Sequence, residues 1–291
     1  MTAAPAEGRG IRQPGPALEP RIVAVPGRAR AFGLTLKPGE TLLEGVRRGF
    51  AAEGFASGAL DVGGLALGPF AYVMPALSTD GANAAFYSDI FRPQGVSRIE
   101  AGAMSFGRRD GAAFFHCHAL WREADSRLTG GHVLPAETRV AERVTLNAIG
   151  IAGARFEADH DPETNFTLFG PVASAGESAS GAEAHLLRLR PNQDFTTAIE
   201  AFCKERGIAS ARIGGGVGSL IGARFVDAPP VDNFATEIFI SGGSVAPGPS
   251  GELEAAIEIG LVDFTGAVAR GRLERGRNPV LMTFELMLLP G

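Results

Sequence analysis

Apolar and polar positions alternate through residues 30–36, Arg-Ala-Phe-Gly-Leu-Thr-Leu, and this period of two predicts a strand. Lys37-Pro38-Gly39-Glu40 reads as a turn. Thr41 is placed to cap a helix, with Glu44 three residues on in the capping-box spacing. Leu42, Leu43, Val46 and Phe50 then recur at helical spacing, and the helix is expected to end near Gly54. Residues 55–73 are apolar and rich in glycine, which predicts a strand bent or bulged at its glycines.

The same pattern returns later. His185-Leu-Leu-Arg-Leu-Arg190 is a predicted strand and Pro191-Asn-Gln-Asp194 a turn, with Asp194 as the cap. Phe195, Ile199, Phe202 and Cys203 mark a helix ending at Gly207, followed by a glycine-rich strand over 208–225. Pro38 matches Pro191, Gly54 matches Gly207, Ala56-Ser57 matches Ala209-Ser210 and Gly63 matches Gly216, all at one offset. A constant offset of this length predicts two tandem domains. The later segments correspond too. Ser97-Arg-Ile-Glu100 matches Phe234-Ala-Thr-Glu237, each a strand with a glutamate inside it, and 139–149 matches 278–289 as closing strands. These matches give a tail over 1–27, a first domain over 28–170, a linker over 171–183 and a second domain over 184–291.

One stretch differs between the copies. Residues 114–134 hold three of the five histidines. His116 and His118 are two apart, so in a strand they share a face and Cys117 takes the other. Residues 122–127 are polar and suit a hairpin turn that returns His132 beside the first two. The second copy has Leu253-Glu-Ala-Ala-Ile-Glu-Ile-Gly260 and Thr265-Gly-Ala-Val-Ala-Arg-Gly271 at this place, with no histidine. A scaffold built twice, once without these side chains, does not need them to fold. Their expected role is a divalent-ion site with an open position, Zn²⁺ being the usual occupant of such a donor set.

Composition narrows the classes. Charged residues make up 20% and hydrophobic residues 45%, enough apolar material for real cores, and the net charge is −5. An acidic balance argues against a broad nucleic-acid-binding face. Two cysteines far apart propose no disulfide framework and fit a cytoplasmic setting. No apolar run reaches the length of a membrane span, and 1–20 lack the apolar core of a secretory signal.

Each half resembles the plants-and-prokaryotes-conserved (PPC) domain, found in AT-hook nuclear-localised proteins of plants and free-standing in prokaryotes. The resemblance rests on Lys37-Pro-Gly-Glu40, Ser97-Arg-Ile-Glu100, His116-Cys-His118, Thr129-Gly-Gly-His132-Val-Leu134 and Ala141-Glu142-Arg143. It implies an α+β fold, in each domain a mainly antiparallel sheet of about seven strands packed on a helix. It also implies a metal, commonly zinc, on the three histidines, and assembly as a homo-oligomer, here a trimer or a dimer. The DNA-binding label attached to the family belongs with an AT-hook. The Arg-Gly-Arg-Pro core of that hook is missing; Arg270-Gly-Arg272 and Arg275-Gly-Arg277 come near it.

Around the triad, Glu142 is a candidate carboxylate partner or general base. Arg98 and Glu100 either hold a substrate anion or pair with each other. Tyr87 and Arg92 follow a predicted loop and are candidates for substrate contact. Trp121 either walls a pocket or packs. His160, in an acidic stretch, offers a further ligand cluster or an inter-domain loop. The Gly-Gly-Gly-Val-Gly run at 214–218 follows a helix and is no dinucleotide fingerprint. The expected function is a metal-dependent hydrolase or lyase acting on a small molecule, with a DNA-binding or regulatory protein as the alternative.

Overall fold

The computed structural model describes residues 9–175 and 181–291. The first half contains β1 (Ile22–Leu36), α1 (Leu42–Ala52), β2 (Gly58–Asp61), β3 (Ala66–Leu67), β4 (Tyr72–Val73), β5 (Pro75–Leu77), β6 (Ala85–Tyr87), β7 (Ser97–Arg109), β8 (Ala112–Arg122), β9 (Leu128–Val133), β10 (Val144–Ala152), β11 (Ala154–Asp161) and β12 (Phe166–Ala173). The second contains β13 (Ala182–Leu189), α2 (Phe195–Arg206), β14 (Ala211–Ala223), β15 (Val231–Pro247), β16 (Leu253–Asp263), β17 (Val268–Arg272) and β18 (Val280–Pro290). The fold is thus α+β and sheet-rich, with two helices among the described residues.

Both helices begin as their sequences dictate. Thr41 Oγ1 accepts from the Glu44 amide at 3.2 Å and donates to Glu44 Oε2 at 2.7 Å. Asp194 Oδ1 accepts from the Thr197 amide at 2.9 Å, and Gly207 closes α2 in the left-handed conformation at φ 67°. Each helix lays its apolar side on its own half: α1 buries Leu42, Val46 and Phe50, and α2 buries Phe195, Ile199, Phe202 and Cys203. Full burial of each large side chain contributes roughly 1.5–3 kcal/mol relative to exposure.

The strands form one sixteen-stranded, mostly antiparallel sheet plus the small β5–β6 pair. In the first half the order runs β1-β10-β2-β7-β8-β9; in the second it runs β13-β18-β14-β15-β16-β17. Over these six strands, and in the helix after the first of them, the two orders match. β1 joins them: residues 22–29 pair with β13 and residues 28–36 pair with β10. The halves also meet face to face, where Ala103 and Leu120 pack with Val217 and Phe239.

The structure corrects the expected tail. Ile22 to Gly27 belong to β1, and residues 9–20 are tied down on both halves. Arg9 Nη1 donates to the Ile221 carbonyl at 2.8 Å, buried Gln13 Nε2 donates to the Leu281 carbonyl at 2.7 Å, and the Gly15 amide donates to the Glu163 carbonyl at 2.9 Å. Anchors made to backbone carbonyls leave no hydrophobic period, so the sequence carries no sign of them. The start of the expected linker, Pro171 to Ala173, ends β12; residues 176–180 of it, and residues 1–8, lie outside the described residues. No helix among the described residues is long and apolar enough to cross a membrane.

Candidate metal centre

Strand β8 alternates strictly. Phe115, Cys117, Ala119 and Trp121 enter the first-half core, while His116 and His118 face the second half. The polar turn returns the chain as β9, and the register sets His132 directly opposite His118. Gly131 lets β9 fit between β8 and β4, since a Cβ there would stand 2.4 Å from the Val73 carbonyl oxygen.

The three imidazoles converge. His116 Nε2 is 2.9 Å from His118 Nε2, which is 3.3 Å from His132 Nδ1, and the three ligand atoms all lie within 4.8 Å of one another. Nitrogens bound to one tetrahedral zinc ion at about 2.0–2.1 Å stand roughly 3.3 Å apart. The second half fixes two of the rings from behind. His116 Nδ1 is hydrogen-bonded to Glu285 Oε1 on β18, and His118 Nδ1 donates to the Ile238 carbonyl on β15 at 3.0 Å. If both Nδ1 atoms carry the proton that these acceptors call for, both Nε2 atoms present lone pairs to each other. Two lone pairs at 2.9 Å repel unless a cation lies between them. The donor set therefore fits a divalent ion.

Burial agrees with that assignment. His118 and His132 are 3% and 8% exposed. Desolvation, followed by the neighbouring imidazoles, holds His118 well below the ordinary histidine range; desolvation and His116 do the same for His132. Both are neutral, the form that ligates a metal.

Two carboxylates face this cluster, both from the second half. Glu285 is fully buried, and its Oε2 has no hydrogen-bond partner among the described residues. Glu237, on β15, is 6% exposed, and its Oε2, likewise unpartnered, stands 3.8 Å from His118 Nε2. Desolvation raises the Glu237 carboxyl well above the usual range. A cation at the histidines offsets that cost and favours the carboxylate.

Of the other residues predicted for the site, the structure brings in Tyr87. Its ring lies edge-on to His132 at 5.4 Å between centroids. Desolvation of the hydroxyl and then the charges of Glu237 and Glu285 push its pKa up, so it is a neutral phenol, although the residue as a whole is 37% exposed. The rest lie elsewhere. Trp121 is fully buried against Phe70 and Tyr72, on the Cys117 side of β8. The alternation that sends Cys117 away from the histidines sends Trp121 with it. Arg98 and Glu142 form an exposed pair at 2.5 Å and 3.0 Å. Glu100 pairs with Arg122 at 2.7 Å and with Arg270 at 3.0 Å, not with Arg98. Arg92 pairs with Glu137 at the surface. His160 is exposed on β11, and the triad is the one His/Cys/Asp/Glu cluster suited to an ion among the described residues. Cys117 is buried and burial pushes its thiol pKa up, so it stays protonated.

Two cavities reach the histidines. A small one of about 50 Å³ is lined by His116, His118, Tyr87 and Glu237. A larger one of about 510 Å³ is lined by His116, His132 and several aromatic side chains.

An α+β protein with a three-histidine cluster seated between two matching halves is the class that this fold and site define. Residues 176–290 match the family model of the Plants and Prokaryotes Conserved (PCC) domain, so the family match falls on the half without the histidines. Three solved structures are similar to parts of the chain. A PPC protein of Pyrococcus horikoshii is 14% identical, with 50% of this chain and 94% of that one covered at a TM-score of 0.39. A metal-containing protein of Archaeoglobus fulgidus is 16% identical, with 48% and 93% covered at 0.39. A protein of Salmonella enterica is 13% identical, with 50% and 96% covered at 0.37. No curated protein matches the sequence.

Proposed function

We propose that this chain is a PPC-type metal-binding protein with two tandem PPC-like units, in which His116, His118 and His132 of the first hold one divalent ion, most naturally zinc. The single observation that carries this reading is the facing pair of Nε2 atoms, each ring oriented from behind by an acceptor on the second half. The finer reading is catalysis of hydrolase or lyase type on a small molecule. The ion would supply Lewis acidity toward a carbonyl or similar oxygen. The chain's own residues would do the rest. Glu285 holds the His116 ring in its ligating tautomer. Glu237 offers a carboxylate beside the cluster, able to take and return a proton. Tyr87 presents a neutral hydroxyl near the same point, and the aromatic cavity adjoins it.

Metal analysis of protein purified without chelators should find about one ion per chain. A folded His132→Ala variant should hold none. Absence of metal in the native protein, together with no uptake of added zinc, would reject the centre.

The family match favours a second reading, a DNA-binding or regulatory protein without catalysis. A Bacteroides thetaiotaomicron structure, 12% identical, is presented as a candidate DNA-binding protein. A shift of duplex DNA that weakens steeply with salt would support this reading. Absence of any shift at low salt would remove it and leave the small-molecule centre. Assembly into a homo-oligomer, read by light scattering, is part of the proposal in either case.

A further inference from the structure

The larger cavity narrows what the centre can accept. At about 510 Å³ it is the size of a site for a small organic ligand. His116 and His132 line it, and Phe86, Ile90, Phe114 and Phe166 supply apolar surface. Phe86 and Ile90 stay 52% and 45% exposed, leaving apolar surface open at the cavity. Two charged side chains line the space, Arg109 and Glu137. Glu137 is already neutralised by a bidentate pair with Arg92 at 2.7 Å and 2.8 Å. Arg109 is not. Its nearest carboxylate is Asp110 at 3.7 Å, whose side chain is 91% exposed and screened by water. The guanidinium lies 5.5 Å from the centre of the Phe114 ring, which holds it against the cavity wall. A mainly apolar chamber, with one guanidinium on its wall that is paired only with the solvent-exposed Asp110, is complementary to a ligand with an apolar body and one anionic end.

We propose that this cavity binds a small hydrophobic carboxylic acid, such as an arylalkanoate, with its carboxylate on Arg109 and its apolar body among Phe86, Phe114 and Phe166. This deepens the reading of the histidine cluster as a small-molecule centre and rests on it. Arg109 binds by a planar two-donor fork that suits a carboxylate, and an uncharged amide cannot use the charge.

Calorimetry with 3-phenylpropanoate and 3-phenylpropanamide tests it on the zinc-loaded full chain. The acid should bind about tenfold or more tightly than the amide. Arg109→Gln should abolish that preference while leaving amide binding and zinc content unchanged, and Arg109→Lys should keep part of it. Phe166→Ala should weaken both ligands. Should Arg109→Gln fail to fold, Arg109→Met carries the same test. Equal binding of acid and amide, an acid preference that survives loss of Arg109, or no binding of either ligand to zinc-loaded protein would each overturn the proposal. The metal reading fails separately: if the chain takes up no zinc yet binds the acid through Arg109, the cavity stands and the centre does not.

Discussion

The same face of the same strand pair has opposite fates in the two halves. In the first half, Thr35 on β1 stands opposite Thr145 on β10; the two hydroxyls meet at 2.9 Å, and Thr145 is exposed. At the matching place in the second half, Arg188 on β13 stands opposite Glu285 on β18, 6% and 0% exposed. The neighbouring positions follow suit: Asn147 is exposed, and its counterpart Met287 is fully buried. One scaffold therefore offers a wet polar face in one half and a dry charged one in the other. The dry face is the one the histidine hairpin covers. Burying a carboxylate and a guanidinium is costly unless each is paired. Glu285 is matched to His116, and Arg188 donates to Asp161 at 2.6 Å.

The largest effect is expected at that second pairing. Asp161 accepts from Arg188 and, at 2.7 Å, from Arg190. Burial alone would raise its carboxyl, but Arg188 and Arg190 hold it below the usual range. Asp161→Ala leaves Arg188 buried without its principal partner and should destabilise the protein by about 3–5 kcal/mol. Thr35→Ala, at the position matching Arg188, should stay within about 0.5 kcal/mol. Urea unfolding of both variants measures the contrast, and equal losses would mean that the two faces are energetically alike.

Glu285→Ala should act next, chiefly on the ion. Removing the acceptor behind a ligating histidine costs about 10–100-fold in metal affinity. Thr145→Ala, its counterpart in the first half, should leave affinity unchanged. A competition titration with a zinc-binding dye reads both. Undiminished affinity in Glu285→Ala would show that His116 needs no support from the second half.

That support from across the molecule explains which features the sequence revealed. The helix caps, the β8–β9 hairpin, and the sharing of a face by His116 and His118 come from local rules, and each is found in place. The repeat was visible because matching turns recur at one offset. The sequence points to carboxylates in the matching segments of the first copy, Glu100 and Glu142, whereas in the fold it is Glu237 and Glu285 of the second copy that face the histidines. Nothing local states that the hairpin of one half docks on the sheet of the other; that is a contact between residues 169 apart. A usable signal did exist: at matched positions the polar Thr145 gives way to a glutamate, the one charged residue of a mainly apolar strand, Val280–Pro290.

Acid should act on the first half's hairpin, since its counterpart carries no histidine. In metal-free protein, His118 and His132 resist protonation when folded and accept it when unfolded. Stability therefore holds above the unfolded histidine pKa of about 6.5 and falls as pH drops below it, by at most about 1.4 kcal/mol per histidine per pH unit. Glu237 works the other way. Its carboxyl, raised in the folded state, takes up a proton as pH falls, which adds stability and partly offsets the loss. Denaturation at pH 7 and 5.5 should show the weaker fold at 5.5, with a smaller difference in His132→Gln. Greater stability at pH 5.5 would contradict neutral buried histidines. In zinc-loaded protein the same pH drop should release the ion, because protons compete for the ligands.

The smallest effect belongs to Glu142. It holds Arg98 through two contacts, yet both side chains lie in solvent, at 53% and 62% exposure. Water and salt screen such a pair, and ordering two long side chains offsets much of what attraction remains. Glu142→Ala should therefore leave zinc stoichiometry, dye-competition affinity and the melting temperature where they are in the native protein. The pairing of this result with Glu285→Ala is what gives it force. Both glutamates belong to the closing segments of their halves, both contact a basic side chain, and both can be removed by the same substitution. If Glu142→Ala were to strip the ion while Glu285→Ala kept it, the first half would be building its own site, and the contrast between a wet face and a site-facing one would have no functional content.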